Sequence, residues 1–284
     1  MARFLQCLKK KENISMENKI KMLQSVVDTL KLTEVEYKVD YGHYYKFDND
    51  FCVNSAYGGN ARIAYELVRR GVNAGFREFA TCGSRDSDKC VLVALVCEAF
   101  GVKCRVFMPN GADTYQSTDI EAYGGVVERV AVGYSNVLIA AAKRYAVENN
   151  ACYIPFGLES QISIDINMHQ VANIPDFAVK RIVIPCYDGI NMISVIKGLD
   201  YYGKHDVKVL GVVLSKAPTD AFRRFFGKTI FDKPQVEYAF VHSPLDFKTP
   251  AAQCEIDGIQ LNPRYEAKCI PFLNKGDLLW IVNR

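Results

Sequence analysis

The sequence predicts an α/β protein built on doubly wound parallel sheets, and three observations carry that prediction. Short apolar runs such as "EFATC", "RIVIPC" and "VKVLGVV" alternate with longer stretches of helical period. The short runs are apolar throughout instead of alternating with polar residues, as expected of strands covered on both faces. The helical stretches between them are about ten to fifteen residues long, the length of a crossover joining parallel strands.

The elements follow in order. "ISMENKIKMLQSVVDTL" (14–30) is amphipathic and is expected to pack outside the sheet. "EFATC" reads as a buried strand, and "SDKCVLVALVCEAFG" as a helix with Ser87 as its N-cap and Gly101 past its end. Strand "VKCRVFMP" leads to a helix over "TYQSTDIEAYGG". Strand "VVERVAV" leads to "SNVLIAAAKRYAVENN", a helix capped by Ser135 and stopped by an Asn pair. Strand "CYIPF" and helix "SIDINMHQVAN" follow, then strand "KRIVIPC", helix "INMISVIKGLDYYG" and strand "VKVLGVVLS". After Ala217 the rhythm breaks into a loop-rich, proline-punctuated stretch expected to wrap the sheet or line a cleft. "NPRYEAKCIPFL" is predicted helical with Pro263 near its first turn, and "LLWIVN" is the last strand.

Composition narrows the function. The 284 residues carry 35 basic and 32 acidic side chains, a net charge of +3. That balance is too even for a dedicated nucleic-acid or membrane-surface protein, and the one basic run is Lys9–Lys11. No apolar run reaches the roughly 18 residues of a membrane span, and the N-terminus lacks the pattern of a signal peptide. The 10 cysteines are scattered through apolar runs without a C-x-x-C pair, and the 4 histidines lie in no ligand spacing. A cytoplasmic protein with reduced, buried thiols and no metal is expected.

The local motifs have plain readings. Gly58–Gly59 before a helix, with Asn60 as N-cap, is ordinary turn chemistry. Ser84 and Ser87 around Arg85 and Asp86 can be helix caps, "PCYDGIN" is a strand-to-helix turn, Lys46 is a packed or solvated lysine, and Tyr265 with Glu266 is helix surface or cleft wall. Their order along the chain says more. "HYYKFDNDF" followed by "GGNARIAYELVRRG", then "CGSRDSDKCVLVALVCEAFGVKC", "IVIPCYDGINMISVIKGL" and "LNPRYEAKCIPF" together resemble the tryptophan-synthase-β-like (fold-type II) pyridoxal-phosphate enzymes, near aminocyclopropane-carboxylate deaminase and D-cysteine desulfhydrase. The compact length is similar to that of short stand-alone members found in phage genomes.

The resemblance implies two doubly wound domains. A larger, cofactor-holding one spans 1–56 and 160–284, and a smaller one, 57–159, is inserted in it. It also implies pyridoxal phosphate as cofactor, an amino-acid-like ligand, and assembly as a homodimer or with an active relative. In that family a lysine holds the cofactor as a Schiff base and moves protons, a glycine-rich loop at a helix start grips the phosphate, and a polar loop takes the substrate carboxylate.

Aligned without gaps, the family lysine falls on Ala61, its arginine on Ile63 and its second lysine on Ala64, while Glu66 still matches. The resemblance gives Asn60, Asp188, Gly189 and Asn191 to the cofactor, and Ser84, Ser87, Asp88 and Tyr265 to the ligand. The phosphate loop reads Tyr187, Asp188, Gly189, Ile190, Asn191, keeping one glycine of three and adding a carboxylate that opposes a phosphate. Three functions follow. A working enzyme needs another amine, for which Lys89, opening the helix of the carboxylate loop, is the candidate, since a helix N-terminus lowers an ammonium's pKa. A non-catalytic binding or partner subunit uses the old cofactor cleft. A Rossmann-type nucleotide enzyme needs a glycine-rich turn that "CGSRDS" and "CYDGIN" match poorly.

Overall fold

The computed structural model describes residues 29–53, 56–131, 135–214, 218–227 and 234–282. Most of the N-terminal amphipathic segment, residues 14–28, and the Lys9–Lys11 run lie outside them. Within the described residues the chain forms two compact units. One comprises Cys52–Ala56 and Asn60–Ser160, the other Leu30–Phe51, Tyr57–Gly59 and Gln161–Arg284.

The Asn60–Ser160 unit holds a four-stranded sheet in the order Val126–Val130, Lys103–Pro109, Glu78–Cys82, Cys152–Tyr153, with every pair parallel. The central strand Glu78–Cys82 is buried over its last four residues, as the sequence predicts for it. The helices Asp88–Ala99, Tyr115–Ala122 and Ser135–Glu148 are the crossovers. Each begins and ends for a local reason. Ser87 stands at the N-cap of the first, and Gly101 follows its end with φ 63°. Thr114 and Ser117 form a reciprocal capping box at the second: Thr114 Oγ1 accepts from Ser117 N–H at 3.3 Å, and Thr114 N–H donates to Ser117 Oγ at 2.8 Å. Asn150, left-handed at φ 51°, turns the chain away after the third.

The other unit holds a six-stranded sheet in the order Val35–Lys38, His43–Phe47, Asp277–Ile281, Arg181–Cys186, Lys208–Val213, Tyr238–His242. Only the Val35–Lys38 edge is antiparallel. The buried helix Ile190–Tyr201 covers one face with Ile182, Ile184, Trp280 and Leu278, while Tyr45, Val183 and Leu279 face a second core under Leu261, Ala267 and Cys269. The mixed α/β architecture with parallel-sheet cores is the predicted class.

Four stretches differ from expectation. The stretch after Ala217 is not only loop: Thr219–Phe226 is a helix, and Tyr238–His242 adds a parallel edge strand beside Lys208–Val213. The strand is an edge and only half-buried, and its apolar run Tyr238–Val241 stands among prolines and charges that mask it in the sequence. "CYIPF" is a strand only over Cys152–Tyr153, because Pro155 cannot donate to a ladder and Phe156–Leu158 turns into a 3₁₀ segment. "SIDINMHQVAN" is α-helical over Gln161–Asn167 and tightens to 3₁₀ over Met168–Val171. "NPRYEAKCIPFL" becomes a 3₁₀ helix, Glu266–Phe272, with Pro271 inside it, where the ring removes a donor that an α-helix would use.

Candidate functional site

In the 161–284 unit, three of the four residues that the resemblance assigns to the cofactor, Asp188, Gly189 and Asn191, gather where the central strand Arg181–Cys186 turns into helix Ile190–Tyr201. Gly189 makes that turn in the left-handed region, φ 90°, and a Cβ on it would stand 2.8 Å from Pro218 Cβ, so only glycine fits. The helix's first free N–H already has an acceptor: Asp188 Oδ1 takes the proton of Ile190 N at 3.1 Å. Asn191, one residue further on, has its Oδ1 3.1 Å from Asn167 Nδ2, which donates to it.

Tyr187 lays its ring 4.8 Å from Phe247, and Phe247 lies 5.2 Å from Tyr265, so Tyr265 joins this region through an aromatic chain. The field of Asp188 reaches both its neighbours. Burial, with the Asp188 charge added, pushes up the Cys186 thiol and the Tyr187 phenol.

In the Asn60–Ser160 unit, three of the four predicted ligand residues, Ser84, Ser87 and Asp88, lie between strand Glu78–Cys82 and the start of helix Asp88–Ala99. Gly83 N–H donates to Phe107 O at 3.1 Å, Ser87 N–H to Ser84 O at 3.2 Å, and Thr114 Oγ1 to Arg85 O at 2.7 Å, which together set the loop's shape. Gly83 has no room for a side chain: its Cβ would fall 2.5 Å from Cys90 Sγ and 2.7 Å from Ser87 Oγ. Ser84 is exposed and Ser87 half-buried, while Asp88 Oδ1 accepts from Gln116 Nε2 at 3.0 Å. Lys89 Nζ donates to Gly157 O at 3.0 Å. That carbonyl belongs to a turn in which Gly157 and Leu158 are both left-handed, at φ 65° and 59°. Lys89 thereby ties the start of its helix to the Phe156–Leu158 segment.

Helix Gly59–Asn73 starts one residue before Asn60, so Asn60 stands in its first turn and not at its cap. Ala61, Ile63 and Ala64 are fully buried. Sequence reasoning missed the buried carboxylate of Asp48, and Glu266, expected on a helix surface or cleft wall, is fully buried. A Cβ on Gly59 would fall 2.1 Å from Asp48 Oδ2, and one on Gly58 2.9 Å from Val282 O. Trp280 Nε1 donates to Asp48 Oδ2 at 3.4 Å, and Val282 N–H to Glu266 Oε1 at 3.0 Å. The Gly58–Gly59 pair is thus a close-approach site as well as a turn. Asp48 in "KFDNDF" carries no spacing signal by which it could have been found.

Two compact units, each with a parallel-sheet core whose strand-to-helix turns carry polar residues, define a doubly wound α/β protein. Residues 52–255 match the profile of the pyridoxal-phosphate dependent enzymes, and the chain belongs to that family. Among solved structures it is similar to an ACC deaminase homologue, with a TM-score of 0.76 and 14% identity, over 100% of this chain and 94% of that one. It is also similar to the processed form of threonine deaminase isoform 2 from Solanum lycopersicum (TM-score 0.62, 15% identity, 96% and 86% covered). Maize serine racemase gives a TM-score of 0.65 at 14% identity, with 92% and 91% covered. These likenesses speak for the fold, which is that of the tryptophan-synthase-β-like group. No curated protein matches the sequence.

The family's cofactor needs an amine to hold its aldehyde and a seat for its phosphate. Where the resemblance places the amine stands the fully buried methyl of Ala61. Where it places the seat, the chain's own carboxylate already takes the N–H of Ile190. The residues at these positions do not fit the group.

Proposed function

We propose that this chain is a binding protein on the architecture of a pyridoxal-phosphate enzyme, and that it holds an amino acid or amino-acid-modified molecule without lysine chemistry. The observation that carries this reading is Ala61, a side chain with no exposure and no nitrogen at the place of the amine. In this reading the loop of Ser84, Ser87 and Asp88 meets the ligand with hydroxyls and a carboxylate at the start of helix Asp88–Ala99. A zwitterion offers the matching carboxylate and ammonium. The assembly is a homodimer or a pairing with an active relative, as the resemblance implies.

The test is to add pyridoxal phosphate to the purified protein, record the visible absorbance, reduce with borohydride and weigh the chain. No covalent mass on any lysine is expected. A reduced adduct would overturn the proposal, and one mapped to Lys89 would make the chain a working enzyme with a relocated amine. Separately, a matching amino acid should raise the melting temperature without being consumed, because a ligand bound only by the folded state stabilises it.

A further inference from the structure

The turn Tyr187–Gly189 takes the inference one step further. A strand that ends in a turn and starts a 12-residue helix is the place where an α/β fold ordinarily receives a ligand anion, because the first N–H groups of the helix point outward without intrahelical partners. Here the Asp188 carboxylate accepts the N–H of Ile190, the first residue of helix Ile190–Tyr201, at 3.1 Å. Gly189 is wedged against Pro218 and Phe222, which holds the turn that presents Asp188 in this position. Tyr187, the residue before it, packs its ring against Phe247 at an interplanar angle of 54°.

We infer that Asp188 is a built-in anion occupying the seat of a ligand phosphate, so that the site selects ligands without a phosphoryl group. An ionised carboxylate on the same N–H group meets an incoming phosphate with like charge at contact distance, where repulsion is strongest. The inference rests on reading this turn as the family's phosphate place, and it is independent of Ala61.

The probes are inorganic phosphate and pyridoxal phosphate, titrated by calorimetry into the full chain and into Asp188→Asn and Asp188→Gly. Asparagine keeps an oxygen for Ile190 N–H and removes only the charge, so the turn is preserved. The wild-type chain is expected to bind neither probe measurably. In Asp188→Asn, affinity for phosphate is expected to rise by about tenfold or more. Asp188→Gly, which frees the N–H as well, should gain at least as much. Wild-type binding of phosphate as tight as that of Asp188→Asn overturns the inference, and so does the absence of a gain in both variants. Borohydride trapping reports on the amine and phosphate titration on Asp188, so either reading can fail without the other.

Discussion

Asp257 and Gly83 show how single residues tie distant parts of a unit together. Asp257 sits at the tip of the hairpin between Glu255–Ile256 and Ile259–Gln260, in the left-handed region at φ 56°, with its side chain turned inward. It accepts the hydroxyl proton of Tyr45, a fully buried residue, and lies 3.8 Å from His43 Nδ1. Asp257→Ala strands that hydroxyl and should cost about 1–3 kcal/mol in urea unfolding. Asp257→Asn, which keeps an acceptor, should cost less, and equal losses would show that the bond is not what holds the hairpin. Gly83→Ala should cost about 1–3 kcal/mol because Cys90 and Ser87 must move to admit a methyl group. Its effect on amino-acid binding should exceed its effect on stability, since Ser87 belongs to the proposed ligand loop.

Among the elements, helix Ile190–Tyr201 and the 3₁₀ segment Met168–Val171 touch through Gly198. A Cβ there would fall 2.2 Å from Met168 O, a backbone atom that cannot swing aside. Gly198→Ala is expected to lower stability by more than about 2 kcal/mol, despite alanine's better helix propensity, and a neutral result would deny the close packing. Elements whose composition followed directly from burial were the legible ones. Strand Arg181–Cys186 is apolar because both of its faces are covered, and helix Asp88–Ala99 announced its start with Ser87. Helix Thr219–Phe226 and strand Tyr238–His242 hid among prolines and charges because an edge strand and its crossover bury only part of their surface. The sequence predicts a helix around Glu266–Phe272 without its type, and Pro271 in the interior is the sign that it is not α-helical.

For the molecule as a whole, the alkaline side of the stability curve is set by buried protons. Burial pushes the Cys82 thiol from 9.0 to about 11 and the Cys90 thiol from 9.0 to about 12. Both residues are almost fully buried in the Asn60–Ser160 unit. A folded-state pKa raised above the unfolded one means that the folded chain keeps its proton longer. That stability is fully present below pH 9 and is lost as pH rises through the folded values. Two such groups give a slope of about 3 kcal/mol per pH unit once the unfolded thiols ionise. Denaturant midpoints should therefore fall steeply above pH 9, and Cys82→Ser with Cys90→Ala should flatten the fall. Cys52, the exposed cysteine among the described residues, should be alkylated well before either of them.

Residue type and period alone were enough for the α/β class, for most helix boundaries, for the even charge and for the methyl of Ala61, since each of these is a local property written in a short window. The Asp188 carboxylate was also legible, but not the fact that it seats itself on Ile190 N–H. Nor could any window show Asp48 meeting Trp280 across 232 positions, or Tyr45 meeting Asp257 across 212. The first contact exists because strands far apart in the chain become neighbours in one sheet, the second because a separate hairpin lies against the core around Tyr45, and which polar atom then finds which partner depends on distances that arise only once the chain has folded.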